Sequence, residues 1–293
     1  MNNKNYFKNK TFLITGANQG LGLEIAKYFA AKGSNLIICA RNKKKLNTAK
    51  KLLENLSSPS RIKSYELDIS NNTKVDSFFS KILKKNKIDI LINNAGVYGP
   101  KGKSEELSWK EWKNTININL LGSIYIINKI IKYFKKRKHG KIIQIAGGGA
   151  ASCFPLFSPY AVSKAGLVRF VENISKEVEN KNIFINAIAP GPINTRMLDE
   201  VLRTGPKKVG KSFYENAIKQ KENGGTDILK IISLVEYLSH KKSNGISGKL
   251  ISVLWDNWKI FHKKIDILKK SDVGTLRRIS GRDRGLSFFD HDS

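Results

Sequence analysis

The stretch TFLITGANQGLG, residues 11–22, decides the fold. Thr11–Thr15 is a short run of apolar and β-branched residues, which predicts a buried strand. From Leu21 to Lys32, apolar residues recur with the helical period, which predicts an amphipathic helix. The glycines between these two segments permit a tight turn, so the stretch predicts the strand, turn and helix that begin a βαβ unit.

Short apolar segments alternate with helical segments along the rest of the chain. Further strands are expected at residues 35–40, 62–67, 88–93, 141–146, 183–189 and 249–253, and further helices at 43–55, 73–85, 109–137, 159–179 and 227–240. Buried strands that alternate with helices imply parallel pairing through crossovers. The predicted fold class is therefore α/β, a doubly wound, Rossmann-type parallel sheet in a single domain with an extra C-terminal tail.

The domain is expected to span residues 1–253, and residues 254–293 form a C-terminal extension. Residues 195–225 are polar, contain glycines and interrupt the alternation, so we expect a mobile lid over a site there. In the extension, Trp255, Trp258 and Phe261 are expected to seal the core or a neighbouring subunit rather than bind a ligand.

The composition is that of a globular protein, since 40% of the 293 residues are hydrophobic and 9% are aromatic. No run of eighteen apolar residues occurs, so we expect no membrane span. The first ten residues are polar, unlike a secretory signal. Cys39 and Cys153 lie in unlike contexts, which favours a reduced, cytoplasmic protein.

A formal net charge of +29 raises the question of nucleic-acid binding. Lysine is spread along the whole chain, and the denser clusters lie at residues 43–45, 135–138 and 276–284. We expect these clusters to be solvated helix ends and tails, not a nucleic-acid site. The histidines at positions 139, 240, 262 and 291 lack metal-ligand spacing, so no metal is expected.

The glycine turn also predicts a dinucleotide site, because its backbone N–H groups and the following helix N-terminus can approach a pyrophosphate. Sites for NAD usually place Asp or Glu at the end of the second strand, where it binds the ribose 2′-hydroxyl. Here that strand ends Ile38-Cys-Ala40, and Arg41 follows. An arginine can pair with a 2′-phosphate that a carboxylate would repel, so NADP(H) is favoured over NAD(H).

Six motifs in order resemble the short-chain dehydrogenase/reductase family over about residues 8–253. They are the TGxxxGxG loop at residues 15–22, Asp68 in Leu-Asp-Ile, the NNAG of residues 93–96, Asn119 in NINLLG, Tyr160 and Lys164 as YxxxK, and PGPINT at residues 190–195. The resemblance implies that Asp68 contacts the adenine ring and that residues 190–195 surround the nicotinamide carboxamide. Family members are commonly oligomers, so a homodimer or homotetramer is expected through helices 109–137 and 159–179.

The resemblance also implies the site residues. Those expected to bind the cofactor are Gly16, Asn18, Gln19, Gly20, Leu21, Gly22, Arg41, Asp68, Ile69, Asn94, Ala95, Gly96, Tyr160, Lys164, Pro190, Gly191, Ile193 and Thr195. The expected catalytic residues are Tyr160, Lys164 and Asn119, of which Asn119 holds a water in a proton relay.

Tyr160 and Lys164 are four residues apart and so share one face of a helix. A nearby ammonium stabilises phenolate, so Lys164 is expected to lower the pKa of Tyr160 from about 10 and make it a better acid or base. In the family, the lysine also binds the nicotinamide ribose.

The family's catalytic serine stands thirteen residues before the tyrosine, and here that position is Gly147. Ser152 and Ser158 are nearer to Tyr160 in sequence, but Ser158 precedes Pro159, where capping the helix is its expected task. We expect backbone N–H groups of residues 147–149 to help hold a substrate oxygen instead.

The predicted function is hydride transfer between NADP(H) and a carbonyl or secondary alcohol of a small metabolite, an acyl thioester or a sugar derivative. One alternative is a dinucleotide-binding protein of the same fold with little or no turnover, because the serine is missing. A second is a sugar-nucleotide epimerase or dehydratase, although those relatives usually carry TGxxGxxG spacing and a larger substrate domain.

Overall fold

A seven-stranded sheet forms the centre of the molecule, and all of its strand pairings are parallel. The structure is a computed structural model that describes residues 6–56 and 61–286. The strands are β1 Thr11–Thr15, β2 Asn35–Ala40, β3 Ile62–Glu66, β4 Ile90–Asn93, β5 Gly140–Ile145, β6 Ile183–Ala189 and β7 Leu250–Ser252. Their order is β3-β2-β1-β4-β5-β6-β7, so the winding reverses between β1 and β4. Such a reversal opens a crevice at the carboxyl ends of the two strands.

Helices cover both faces of this sheet. They are α1 Gly20–Ala31, α2 Lys43–Leu56, α3 Asn72–Lys85, α4 Trp109–Ile116, α5 Ser123–Arg137, α6 Ser158–Glu177, α7 Arg196–Thr204, α8 Pro206–Val209, α9 Lys211–Asn223, α10 Ile228–Ser239 and α11 Ile265–Lys270. The predicted class, a doubly wound parallel sheet in one domain, is confirmed.

Alternate residues of each strand enter two separate hydrophobic cores. On β1, Phe12 and Ile14 pack with α1, α2 and α10, whereas Leu13 packs with α3, α5 and α6. Successive side chains of a strand point to opposite faces, so a strand covered on both sides must be apolar throughout. That requirement explains why the strand segments are continuous apolar runs in the sequence.

The predicted helix at residues 109–137 is correct in extent but is interrupted. Asn117–Gly122 forms a π-helical turn between α4 and α5. A side chain at Gly122 would place its Cβ 2.7 Å from the carbonyl oxygen of Ile69, so the chain approaches the segment between β3 and α3 very closely there. The turn buries Asn119, and turns of this kind often mark functional sites.

The predicted lid is built of helices, not of irregular loop. Within residues 195–225, α7, α8 and α9 are separated by Gly205 and Gly210. The mobility of this segment stays a prediction. We call α7 to α9 the lid helices.

The tail packs against the first core, in part as predicted. Trp258 is buried and Phe261 packs against the same core. Trp255, by contrast, is 86% exposed, so it seals no core within this chain. Lys43 to Lys45 begin α2 and Lys135 to Arg137 end α5, so these basic clusters are the helix ends that we expected. No helix in the described part of the chain is long and apolar enough to cross a membrane.

Candidate active site

A cleft of about 1340 Å³ opens at the carboxyl ends of the strands, where the winding reverses. Of the predicted site residues, those that line it are Gly16, Asn18, Gln19, Gly20, Leu21, Arg41, Asp68, Ile69, Asn94, Ala95, Gly96, Tyr160, Lys164, Pro190, Gly191, Ile193 and Thr195. Gly22 and Asn119 are buried and do not line the cleft. The structure thus brings to one surface segments that lie between Gly16 and Thr195 in the sequence.

The glycine loop is shaped by close backbone contacts. Gly16 has a φ of +65°, and a Cβ on it would lie 2.9 Å from the Cα of Ala95. A Cβ on Gly22 would lie 2.5 Å from the side-chain nitrogen of Asn94, so this glycine lets α1 approach β4. The loop is therefore a cradle that side chains would fill, and it fits the pyrophosphate of a dinucleotide.

Hydrogen bonds from Thr15 fix the ends of β1 and β4 to each other. Its hydroxyl accepts from the backbone N–H groups of Asn94 at 2.9 Å and Ala95 at 3.0 Å, and it donates to Asn93 Oδ1 at 3.1 Å. The Asn94 side chain donates to the Thr15 carbonyl oxygen at 3.1 Å. This fully buried threonine thereby holds the floor of the cleft in one geometry.

Two cations flank one end of the cleft. Arg41 follows β2 directly and is exposed. Lys45, one turn into α2, also lines the cleft and donates a hydrogen bond to Gln19 Oε1 at 3.0 Å. Residues 43–45 form one basic cluster in the sequence, whereas only Lys45 among them borders the cleft. Arg41 and Lys45 together form a suitable place for a phosphate monoester.

Asp68 lies at the same end of the cleft. Its Oδ1 accepts hydrogen bonds from the backbone N–H of Ser70 at 3.0 Å and from the Ser70 hydroxyl at 2.7 Å. These bonds fix the carboxylate just after β3, where Asp68 lines the cleft together with Arg41.

Tyr160 and Lys164 lie in the middle of the cleft, on the face of α6 that packs on the sheet. Their exposed fractions are only 7% and 4%. Lys164 Nζ donates to the carbonyl oxygen of Ile145 at 3.0 Å and lies 5.5 Å from the centroid of the Tyr160 ring. Burial lowers the pKa of Lys164 to about 8.

The predicted direction of the Tyr160 pKa is wrong for this structure. Burial raises the pKa of Tyr160 above its ordinary value, and charge on Tyr98 would raise it further. Lys164 does not reverse this effect of burial, because within the described part of the chain its ammonium donates to the Ile145 carbonyl oxygen and lies beside the Tyr160 ring without bonding to the phenol. Tyr160 is therefore a protonated hydroxyl at neutral pH, able to donate a hydrogen bond or a proton.

Asn119 connects the segment after β4 to α6 by hydrogen bonds beneath the surface of the cleft. Its Oδ1 accepts from the backbone N–H of Val97 at 2.9 Å, and its Nδ2 donates to the Val97 carbonyl oxygen at 2.8 Å and to Ser163 Oγ at 3.1 Å. Ser163 in turn donates to the backbone carbonyl of Tyr160 at 2.6 Å. The side chain thus positions the segment after β4 against α6, and its predicted part in a water relay stays a prediction.

Gly147 faces the Tyr160 hydroxyl. A Cβ on Gly147 would lie 2.5 Å from that oxygen, and its φ is +154°. Among the residues described, the N–H groups of Gly147, Gly148 and Gly149 donate no hydrogen bond, and all three residues line the cleft. Backbone donors are therefore available beside Tyr160.

The two serines that precede Tyr160, Ser152 and Ser158, differ in position. Ser152 is exposed and borders the cleft. Ser158 is the first residue of α6, Phe157 holds the cap position, and no side chain caps this helix, so the predicted capping role of Ser158 is wrong. The helix begins at Ser158, one residue earlier than predicted.

The far end of the cleft is mostly apolar, and sequence reasoning missed it. Phe154 stacks on Phe157 with ring centroids 4.4 Å apart, and Phe213 of α9 packs against both rings. Other apolar residues that line this end are Tyr98, Met197, Leu198, Val201, Ala217, Leu254 and Trp255. They come from the lid helices, the tail and the segment after β4. The spacing of apolar residues in the sequence does not indicate that these segments share a surface.

No group of three or more His, Cys, Asp or Glu side chains that could hold a metal ion occurs within residues 6–56 and 61–286.

Comparisons with known proteins concern most of this chain. The family model for short chain dehydrogenases matches residues 10–205. A 3-oxoacyl-(acyl-carrier-protein) reductase of Chlamydia muridarum is 31% identical over 247 residues, which cover 84% of this chain and 96% of that protein. An NADPH-dependent pterin aldehyde reductase of Arabidopsis thaliana is 32% identical over 190 residues, covering 64% and 77%. Among solved structures, levodione reductase matches with a TM-score of 0.77 at 24% identity and covers 84% of this chain and 96% of that one, a likeness of fold.

Proposed function

This chain belongs to the short-chain dehydrogenase/reductase family of oxidoreductases, and from that premise we propose that it reduces the carbonyl of an acyl thioester with NADPH. The observation that carries the proposal is the buried, protonated Tyr160 hydroxyl at the junction between the glycine loop and the apolar end of the cleft. The same residues catalyse the reverse oxidation of a secondary alcohol when NADP⁺ is bound.

The choice of NADP(H) rests on charge at the end of the cleft beside β2. Arg41 and Lys45 border that end, and Gln19 orients the ammonium of Lys45. Two cations favour a 2′-phosphate, which NAD(H) lacks. The name of the Arabidopsis relative, an NADPH-dependent reductase, supports the same choice.

The dinucleotide would lie along the cleft, with its pyrophosphate on the loop that contains Gly16 and Gly20 and its nicotinamide ribose next to Lys164. When bound, the nicotinamide ring supplies or accepts the hydride at the substrate carbon. The chain itself must hold the substrate oxygen, supply the proton and exclude water from the site.

Tyr160 donates its proton to the carbonyl oxygen during reduction. Its buried hydroxyl stays protonated at neutral pH, so the proton is available when the oxygen becomes negative. Lys164 places a positive charge 5.5 Å from the ring centroid, which favours the phenolate that remains. The free N–H groups of Gly147 to Gly149 would donate hydrogen bonds to the same oxygen.

The apolar end of the cleft supports an acyl thioester over a sugar derivative. Asn216 and Gln220 also line this end, but most of its lining, including Phe154, Leu198 and Phe213, offers no partners to the hydroxyl groups of a sugar, and burying such groups unpaired is costly. The Chlamydia relative is named as a 3-oxoacyl reductase, which fits the same substrate class.

One observation favours a second candidate, a dinucleotide-binding protein with little or no turnover. Gly147 stands where the family's serine stands, and the site lacks that hydroxyl. The free glycine N–H groups favour the enzyme over this alternative, because they can do part of what the serine hydroxyl does.

We further propose a homodimer or homotetramer that resides in the cytoplasm. Leu121 and Val162 lie on neighbouring helical segments and are 53% and 50% exposed, which supports burial by a second copy. Cys39 and Cys153 are both free thiols, which supports a reducing compartment. We also propose that the dehydrogenase domain ends at residue 253 and that residues 254–293 are an extension to it.

The test is turnover with 3-oxoacyl N-acetylcysteamine thioesters and NADPH, with the 3-hydroxyacyl product identified by mass spectrometry. We expect NADPH consumption and product to agree one to one, with NADH used far less well. Binding of NADPH without consumption, across short and long acyl chains, would support the dinucleotide-binding alternative.

A further inference from the structure

Tyr98 holds a fixed position beside Tyr160. Its ring makes an edge contact with the Tyr160 ring, with centroids 4.8 Å apart and planes at 61°, and another with the Phe157 ring at 5.4 Å. Lys101 Nζ lies 5.5 Å from the centroid of the Tyr98 ring. Three neighbours therefore restrict the ring before any substrate arrives.

Lys101 is itself held in place. Its side chain is 5% exposed, and its Nζ donates to the Gly99 carbonyl oxygen at 3.0 Å and pairs with Glu200 of α7 at 2.5 Å. The ion pair ties the segment that carries Tyr98 to the lid helices. The position of the Tyr98 ring is thus supported from both walls of the cleft.

Tyr98 lines the cleft, and its hydroxyl forms no hydrogen bond with the described residues. It is not one of the described polar atoms that are buried without a partner, so it remains accessible to solvent. Burial raises the pKa of Tyr98 to about 12. The group is therefore a hydrogen-bond donor over the whole working pH range.

Each preorganised donor further stabilises a carbonyl oxygen that gains negative charge. The family's serine is missing at Gly147, and Ser152 is an exposed residue of the outer loop. Tyr98 is a hydroxyl donor packed directly against the proton donor Tyr160, and Phe157 and Lys101 already hold it in place. Preorganisation of this kind lets a donor act without a reorganisation cost during the reaction.

We propose that the hydroxyl of Tyr98 donates a hydrogen bond to the substrate oxygen beside Tyr160 and takes the place of the missing serine. The inference rests on the proposed carbonyl reduction. Tyr98 keeps its proton throughout, Tyr160 alone transfers one, and no bond of Tyr98 breaks. Tyr98 is in this sense a catalytic residue, since it contacts the reacting oxygen.

Tyr98→Phe removes only the hydroxyl and keeps the ring contacts. We expect kcat with a 3-oxoacyl thioester to fall by about 10²-fold, as for loss of one oxyanion donor. The KM and the NADPH dissociation constant should change by less than about 3-fold, because the donor acts mainly in the transition state. Thermal stability should stay the same.

Two control variants make the result specific. Tyr214→Phe changes a tyrosine of the same hydrophobic cluster that does not line the cleft, and its kcat should stay near that of the unaltered protein. Ser152→Ala removes the rival hydroxyl and should lower kcat by less than about 10-fold, well short of a lost oxyanion donor. Full activity in Tyr98→Phe, or the large loss in Ser152→Ala instead, would overturn the inference.

The same experiment separates this inference from the proposed function. If the unaltered protein consumes NADPH and Tyr160→Phe does not, carbonyl reduction stands whatever Tyr98→Phe shows. If the unaltered protein is inactive on every thioester, the proposed function fails, and the role of Tyr98 fails with it.

Discussion

The hydroxyl of Tyr160 lies 2.5 Å from the point at which Gly147 would carry a Cβ. The absence of a side chain at position 147 is thus a requirement of this site, not only the loss of a serine. The space that a serine would enter is next to the phenol oxygen, and the backbone there has a φ of +154°. Glycine tolerates such a backbone, whereas other residues are strained by it.

Restoring the family's serine should therefore harm the enzyme. In Gly147→Ser and Gly147→Ala alike, the new Cβ would displace the Tyr160 hydroxyl, and we expect kcat to fall by about 10²-fold or more, as when catalytic geometry shifts by about 1 Å. Steady-state kinetics with NADPH and a 3-oxoacyl thioester measure this effect.

Gly148→Ala is the matched control, because a Cβ at position 148 meets only Phe154, at 3.9 Å, and needs no unusual φ. Its kcat should stay within about 3-fold, since ordinary surface substitutions cost little. A Gly147→Ser variant faster than the unaltered protein would show that the hydroxyl was merely lost and that the glycine has no positive role.

Arg41 and Lys45, at the β2 end of the cleft, should both bind the 2′-phosphate of NADPH. Arg41→Ala should weaken NADPH binding by about 10- to 100-fold, the value of one or two charge-assisted hydrogen bonds, and leave NADH binding nearly unchanged. Lys45→Ala should act in the same direction but more weakly, because Lys45 also bonds to Gln19. Titration of cofactor fluorescence gives both affinities.

Lys44→Ala is the control for this pair, since Lys44 is exposed on the same helix but does not border the cleft. An equal loss of NADPH and NADH affinity in Arg41→Ala would mean that Arg41 does not distinguish the two cofactors.

The pKa of Lys164 predicts how activity depends on pH. Because burial lowers this pKa to about 8, the ammonium is lost as pH rises through about 8. The positive charge next to Tyr160 disappears with it, so kcat/KM should fall above that pH by up to about 10-fold per pH unit, as for loss of one essential proton. A flat profile from pH 6 to pH 10 would contradict the role given to Lys164.

Lys164 also predicts that the stability of the fold rises with pH in the range where activity falls. The pKa of Lys164 is about 8 in the folded chain, below its ordinary value of 10.5, so the unfolded chain binds more protons between these limits. The free energy of unfolding should therefore gain a favourable contribution as pH rises from about 8 to about 10.5. Lys164→Met should lack this contribution, which urea unfolding across that pH range can show.

The turn after β7 presents Trp255 to the mouth of the cleft. Ser252 Oγ accepts hydrogen bonds from the backbone N–H groups of Leu254 and Trp255, each at 3.2 Å, and Asp256 accepts from the Ser252 N–H at 2.7 Å. An aromatic ring that is 86% exposed on a turn held this firmly is suited to cover a long acyl chain.

Trp255→Ala should raise KM for 3-oxododecanoyl thioester by about 10-fold, equivalent to about 1.4 kcal/mol of lost contact, and leave the value for acetoacetyl thioester unchanged. Trp109→Ala is the control, because Trp109 is 64% exposed and lies away from the cleft. Equal effects on both acyl chains would assign Trp255 to another role.

The order of strands and helices along the first half of the fold and the place of the glycine loop could be predicted from sequence because their signals are local. β1 and β2 match their predicted bounds, and the glycine loop lies between β1 and α1 as expected. Each of these features depends on neighbours within a few residues, such as an apolar run or a glycine with positive φ.

The features that escaped prediction depend on contacts between distant segments. The pKa of Tyr160 rises because residues from several parts of the chain bury it, which the spacing to Lys164 cannot reveal. Trp255 and Trp258 are three residues apart, yet one is exposed and the other buried, because only Trp258 meets the core beside α10. The contact between Tyr98 and Tyr160 likewise joins residues far apart in sequence.

The most direct test of the account is a single turnover with NADPH and a 3-oxoacyl thioester, in which the unaltered protein and Tyr160→Phe are compared after NADPH binding has been measured on both. We predict that both bind NADPH equally and that the rate of product formation falls by about 10³-fold or more in Tyr160→Phe, in keeping with loss of a general acid together with a donor to the developing oxyanion. Near-normal product formation by Tyr160→Phe would contradict the account.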